Sequence, residues 1–288
     1  MSLEKSKRKR PDDERELIAK AHVLLKKVNS TSAAAADAAL ASLGGLAAYQ
    51  AASLGGESAC GGVDSSDWVK EELAKQAASP NSRLLDVGAI VARYEEEYNA
   101  THIDLGSNDP QVQKIDFFDF AKEAGNASFS TVVLSLVVNF VGSAGARGDM
   151  LKKASELLRP QGLLFFVLPS ACVDNSRYLD QALLLKVLKA CGFDDLDVSR
   201  SKNGRLWRCV GRKHSSPTCD VASFQKKRVL RGGPDRNNFT IQFSTVNDPA
   251  AGACAKKAPI STKVVLSSNQ RKRLRQKKMK ESRNKVEL

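Results

Sequence analysis

The run Leu84-Leu85-Asp86-Val87-Gly88, followed by His102-Ile103-Asp104-Leu105, holds the residue types that bind a nucleoside. A glycine at the end of one apolar run lets the backbone approach a ligand. An acid at the end of the next can accept both hydroxyls of a ribose. The later glycines of the G-x-G-x-x-G pattern are replaced here, since Ala89-Ile90-Val91 follow Gly88. A pyrophosphate needs those glycines for close approach and for the helix N-terminus. A nucleoside without phosphates does not, which favours S-adenosylmethionine (SAM) over NAD or FAD. Gly88 would then lie under the methionine part, and Asp86 would orient the turn or the ammonium. Asp104 would take the ribose, with a strand-end turn as its other reading. Asp116 and Phe117 are placed for the adenine amino group and a stacking contact, unless Asp116 is a surface-loop acid.

A second set of residues could meet an acceptor. Ser135-Leu136-Val137-Val138-Asn139-Phe140-Val141 ends an apolar run and would face the transferred methyl. Asn139 can hydrogen-bond a base edge and Phe140 can stack on the base, or pack internally. Pro169-Ser170-Ala171-Cys172-Val173-Asp174-Asn175-Ser176-Arg177-Tyr178 supplies further polar groups, with Arg177 free to hold a phosphate or to cap the domain.

These residues require a sheet whose strands end along one edge. Strands are expected at 83–88, 100–105 and 113–117. The β-branched run at 131–140 suits a central parallel strand buried on both faces. A helix follows at 149–158, stopped by Arg159-Pro160-Gln161-Gly162, and then a strand at 163–168. Asn175 or Ser176 can cap the next helix, which ends at Cys191-Gly192. Two runs at 196–202 and 205–212 flank Asn203-Gly204, a strong hairpin signal. A βαβ series that finishes in an antiparallel hairpin resembles the seven-stranded, Rossmann-like α/β sheet of class I SAM-dependent methyltransferases, which is the fold expected here. Before it, apolar spacing suggests a helix at 14–28, and the Asp64-Ser65-Ser66-Asp67 cluster can cap another at 68–78. One more short strand is expected at 239–243. The organisation that follows is a disordered basic N-terminus (1–13), a helical region (14–80), a SAM-binding domain (81–213), a basic extension with a short strand (214–243) and a disordered basic tail (244–288).

Composition narrows the function classes. No apolar run approaches the ~20 residues of a membrane span, and no signal-peptide core follows the basic N-terminus, so no membrane partner is expected. Six cysteines form no C-x-x-C pair, and only His22, His102 and His214 accompany them, so neither a metal site nor a disulfide framework is expected. The net charge of +13 is uneven: residues 11–199 carry −9, 200–236 carry +9 and 271–288 carry +7. An acidic cofactor domain followed by basic segments points to a polyanion partner. The basic runs at 5–10 and 271–285 can also direct nuclear import and nucleolar retention.

Tyr49-Gln50-Ala51-Ala52-Ser53 with Gly55-Gly56, Leu84 to Gly88, Ser135 to Val141, Arg147-Gly148-Asp149-Met150-Leu151 and Leu168 to Tyr178 together resemble the large-subunit (25S/28S) ribosomal RNA adenine-N1 methyltransferase family. The resemblance covers roughly residues 45–243. It implies a SAM-dependent enzyme that acts on large-subunit rRNA or a pre-ribosome in the nucleolus, with Gly88 and Asp104 as the SAM-binding pair. The animal branch of that family includes a SAM sensor for nutrient signalling, so a non-catalytic sensor is the alternative. A methyltransferase for basic proteins ranks last, because the basic C-terminal segments would repel such a substrate.

Overall fold

The described residues form seven strands: β1 (Arg83–Val87), β2 (Asn99–Asp104), β3 (Val112–Lys114), β4 (Phe129–Ser135), β5 (Leu158–Pro169), β6 (Phe193–Arg200) and β7 (Leu206–Lys213). Five helices accompany them: α1 (Ser65–Lys75), α2 (Phe117–Ala124), α3 (Ala144–Leu157), α4 (Ser170–Asp174) and α5 (Gln181–Ala190). This computed structural model describes residues 65–76, 82–94, 98–214 and 223–244. The helix expected at 14–28, the block at 49–56 and both basic termini lie outside the described residues.

The strands build one sheet in the order β3-β2-β1-β4-β5-β7-β6. All neighbours are parallel except β7, which runs antiparallel to β5 and to β6. This is the α/β, Rossmann-like sheet expected from the sequence. Strand alternation sorts the core into two layers. Val132 and Leu134 of β4, with Leu164, Phe166 and Leu168 of β5, pack against α2, α3 and α5. Val133, Phe165 and Val167 face the other way, toward Trp68, Val69 and Leu73 of α1. The Trp68 ring meets Phe165 edge-on at 5.7 Å, and the Arg208 guanidinium lies 5.2 Å over the same ring. Helix α1 is thus part of the sheet's second layer, and a domain boundary at residue 81 cuts it off from what it covers.

Several expected boundaries move, each for a local reason. The run at 131–140 does not stay extended: β4 stops at Ser135, because Leu136 adopts a left-handed φ of +55°. Helix α3 begins at Ala144 rather than 149, since the Ser143 hydroxyl accepts from Ala146 N and caps it. Helix α5 is capped by Asp180, not by Asn175 or Ser176. The hairpin closes through Ser201–Leu206 main-chain pairing, with Gly204 at φ +67° and the Asn203 carboxamide oxygen accepting from Arg205 N.

The strand expected at 239–243 is absent, yet Phe239, Ile241 and Phe243 are buried in the larger core layer. Their backbone is satisfied by side chains and helix ends instead of a ladder. Gln242 N donates to Ala144 O at 2.9 Å, Arg147 donates to Thr240 O at 2.8 Å, and the Ser176 hydroxyl donates to Phe239 O. Arg147 also donates to the carbonyls of Val141 and Gly142 and sits 4.6 Å from the Phe239 ring. Burial lowers its pKa to about 10, so it remains a cation at neutral pH. The segment 239–243 therefore belongs to the fold and is not a detached extension beyond residue 213.

Gly148, beside Arg147, makes this docking possible: a Cβ there would lie 2.0 Å from Gln242 O. A Gly→Ala change inside a helix ordinarily gains about 1 kcal/mol. Here Gly148→Ala is expected to cost about 1–3 kcal/mol through overpacking, with faster proteolysis within 223–244. An unchanged urea midpoint would contradict this packing.

Candidate cofactor and acceptor site

At the carboxyl edge of the sheet, β1 leaves its ladder at Gly88, which has φ +81°. Its N–H donates to Ile103 O at 2.8 Å and Ala89 N–H donates to the same oxygen at 3.1 Å, fixing the turn against β2. A Cβ on Gly88 would lie 2.9 Å from both Cβ and Cγ2 of Val137. The missing side chain thus lets the loop after β4 close onto the turn after β1.

Asp86 and His102 are paired in register across β1 and β2, and both are buried. His102 Nδ1 lies 3.2 Å from Asp86 Oδ2, and Tyr94 stacks on the imidazole at 5.9 Å with ring planes 8° apart. Desolvation holds the Asp86 carboxyl above the usual aspartate range, partly offset by the hydrogen bond and charge of His102. Burial likewise keeps the Tyr94 phenol neutral by pushing its pKa up. Asp86 therefore faces inward, as a brace between β1 and β2.

Asp104 closes β2, half-buried, with Oδ1 accepting from Gly106 N at 2.7 Å. Its other oxygen takes no hydrogen bond among the described residues. Asp109 is a positioning residue that the sequence reading missed. Oδ2 accepts from Ala92 N at 3.0 Å and Oδ1 from Gln111 N at 2.9 Å, tying the loop after β1 to the turn after β2. Those two amides hold its pKa below the ordinary value. Ser107 reinforces the tie by donating to Ile90 O at 2.7 Å. The Ser107-Asn108-Asp109-Pro110 turn signal was its only sequence trace.

Asp116 follows β3 and caps α2, accepting from Phe118 N at 2.8 Å and Asp119 N at 3.4 Å. Phe117 departs from expectation. As the first residue of α2 its ring is only 5% exposed within the core, so it cannot stack on a ligand at the edge.

The acceptor-side residues lie in the loop closed onto Gly88. Phe140 is exposed at 38%, and Phe140 N donates to Val137 O. Among the described residues Asn139 Oδ1 is buried without a hydrogen-bond partner. The Ser135 hydroxyl at the end of β4 donates to the Ser65 hydroxyl at 2.8 Å, which brings the N-terminus of α1 to the same edge. The loop after β5 does a different job from the one its polar residues suggested. Arg177 donates to Gly233 O and to the Asn238 side chain, Asn175 donates to Asp235 O, and Asp174 is held by Arg200 through two hydrogen bonds of 2.7 Å. Of the two roles open to Arg177, capping the domain is the one it performs.

Five expected residues thus lie along one edge, Gly88, Asp104, Asp116, Asn139 and Phe140, with Asp86 buried behind the turn as a brace. Phe117 is near but turned into the core. Because the folded state binds the Asp86 proton more tightly than the unfolded chain does, wild-type stability falls as pH rises from the ordinary aspartate range through the raised folded value. Asp86→Asn is expected to flatten that fall in a pH series of unfolding midpoints; parallel profiles would contradict the buried brace. Gly88→Ala is expected to cost about 1–3 kcal/mol from its positive φ and the Val137 clash. Val137→Gly should recover part of that loss, and strictly additive effects would contradict the contact.

A family model described as 25S rRNA (adenine(2142)-N(1))-methyltransferase matches residues 34–241. The protein is 32% identical over 206 residues to the 25S rRNA (adenine(2142)-N(1))-methyltransferase of Saccharomyces cerevisiae, covering 69% of this chain and 60% of that one. It is 30% identical over 214 residues to the 25S rRNA adenine-N(1) methyltransferase of Schizosaccharomyces pombe, covering 68% of this chain and 76% of that one. The chain therefore spans less than two thirds of the budding-yeast relative. Among solved structures, a 1,6-didemethyltoxoflavin-N1-methyltransferase from Burkholderia thailandensis is similar at a TM-score of 0.42 and 17% identity, over 50% of this chain and 75% of that one. The family match takes in all seven strands, the turn at Gly88, the loop at Asn139 and the Arg147 clamp. By that match the chain belongs to the 25S rRNA (adenine-N1)-methyltransferase family.

Proposed function

We propose that this protein transfers the methyl group of SAM to N1 of an adenine in large-subunit ribosomal RNA. The observation that carries the reading is the family match across the whole sheet and its carboxyl edge. When bound, SAM supplies a methyl group made electrophilic by its sulfonium. The residues at the edge fit such a ligand: Gly88 offers a turn without a side chain, and the second oxygen of Asp104 is left for a ribose hydroxyl. Asp86 acts through the turn it braces, and Asp116 stands at the N-terminus of α2, near where the adenine end would lie.

Adenine N1 is unprotonated at neutral pH and carries a free lone pair, so no general base is required. The methyl moves to N1 as its bond to sulfur breaks, leaving a neutral thioether and a cationic base. The protein's task is alignment, a proximity effect able to supply several kcal/mol, and stabilisation of the charge that develops. Asn139 Oδ1, a buried acceptor with no partner among the described residues, is suited to the exocyclic amine of a target adenine that enters the loop. That N–H becomes a stronger donor as N1 turns cationic, so the bond strengthens toward the transition state. Phe140, 38% exposed in the same loop, has the ring type that stacks on a base. Because N1 lies on the Watson–Crick edge, the adenine must be unpaired or flipped out. The basic runs at 5–10 and 271–285 are suited to nucleolar delivery and retention.

The test is transfer of labelled methyl from SAM to unmodified large-subunit rRNA, followed by nucleoside analysis. N1-methyladenosine is expected, with kcat independent of pH between about 6.5 and 8.5, since no base titrates. Asn139→Ala is expected to lower kcat by about ten- to a hundredfold with SAM affinity unchanged. Label in no RNA would contradict the proposal, and a wild-type kcat in the variant would remove Asn139 from it.

A further inference from the structure

The segment 223–239 crosses the loop after β5 as a strap whose charge nothing in the described fold neutralises. Between residues 226 and 236 it carries Lys226, Lys227, Arg228, Arg231 and Arg236 against one acid, Asp235. Among the described residues none of these five cations is paired with a carboxylate. Arg231 is held instead by the carbonyls of Val173, Asp174 and Leu179, while the carboxylate of Asp174 goes to Arg200. The fold keeps the strap in place without discharging it.

The strap's backbone is also fixed. Leu230 N and Arg231 N donate to Arg177 O, Arg177 N donates to Asn237 O, and Asn237 N donates to Asn175 O. On this pinned frame Lys226, Lys227 and Arg228 are exposed, and beside them Val229 and Leu230 are 66% and 41% exposed. Fixed cations next to exposed apolar side chains suit a nucleic acid strand, which presents phosphates and sugar or base faces together. The loop beneath the strap follows β5, the neighbour of β4, so the strap lies along the edge that carries Asn139 and Phe140. Arg147 links the two sides, since it holds Thr240 just beyond the strap together with Val141 and Gly142 in the loop after β4.

We propose that this strap, through Lys226, Lys227 and Arg228, is the phosphate-gripping lip that holds the RNA strand whose adenine enters the site. The inference rests on the RNA substrate proposed above and names the surface that binds it. Phosphate contacts of this kind position a strand without reading its sequence.

The experiment measures binding of the full-length protein to a fragment of unmodified large-subunit rRNA at several salt concentrations, with methyl transfer and SAM affinity recorded alongside. The variant is Lys226→Glu/Arg228→Glu, which spares Lys227 on the Tyr178 ring. The neutral pair Lys226→Gln/Arg228→Gln serves as a gentler second variant. At about 0.15 M salt the charge reversal is expected to weaken RNA binding at least about tenfold. The salt slope should become shallower by about two, one for each lost phosphate contact. SAM affinity should stay at the wild-type value. Wild-type RNA affinity and slope in both variants, with transfer continuing, would overturn the strap's role and leave the methyltransferase standing. Strap-dependent binding by a wild-type protein that transfers no methyl would support the strap and overturn the methyltransferase. Unchanged RNA affinity with lost binding to polyglutamate would assign the strap to an acidic protein and overturn the proposal.

Discussion

The contact between Gly88 and Val137 is the constraint on which the site depends. Because Gly88 has no side chain and takes a φ of +81°, the turn after β1 and the loop after β4 lie in direct contact. The turn after β1 and the loop after β4, proposed for cofactor and acceptor, therefore cannot move independently. Leu136 contributes from the other side of that contact. Its left-handed backbone, at φ +55°, stops β4 and turns the chain toward Val137, while its N–H remains bonded to Val167 O of β5 at 3.0 Å. Such a conformation in a branched residue costs on the order of 1–3 kcal/mol and persists where surrounding structure enforces it. Here the enforcement comes from a strand buried on both faces.

Two arginines extend this logic to the C-terminal segment. Arg147 and Arg231 each bind three carbonyl oxygens and no carboxylate. Each ties a loop at the sheet's carboxyl edge to chain that lies far ahead in sequence, near residues 230–240. Removing such a cation would leave three carbonyls to find new partners, which is why these residues act as structural keystones. The same reasoning explains Asn175, Ser176 and Arg177: their polarity serves the strap rather than a ligand.

What the sequence made legible was set by local signals of sufficient strength. The continuous apolar runs at β1, β4 and β5 and the Asn203-Gly204 hairpin announced the sheet and its antiparallel finish, because burial on two faces and a φ > 0 turn leave clear patterns. The acids and glycine at strand ends announced the edge. Two kinds of feature were not legible. The run at 131–140 reads as one strand, because nothing in Leu136-Val137-Val138 betrays a left-handed turn imposed by tertiary contacts. Phe239 to Phe243 reads as another strand, because alternation reports burial and not hydrogen-bond partners, and those partners lie on Arg147, Ser176 and Ala144. Asp109 escaped for a related reason: its role spans two loops, and only their proximity reveals it.

On the proposed function, alignment replaces acid–base chemistry at this edge. That function asks for a rigid turn, a loop packed on it and an amide oxygen without a partner among the described residues, since adenine N1 arrives with its lone pair free. The most direct test of that account is primer extension across large-subunit rRNA from cells lacking the protein, since N1-methyladenosine blocks Watson–Crick pairing and stops reverse transcriptase. The account predicts loss of one stop, restored by the wild-type chain but not by Gly88→Arg, whose side chain has no room against Val137. Persistence of every stop in the absence of the protein would contradict it.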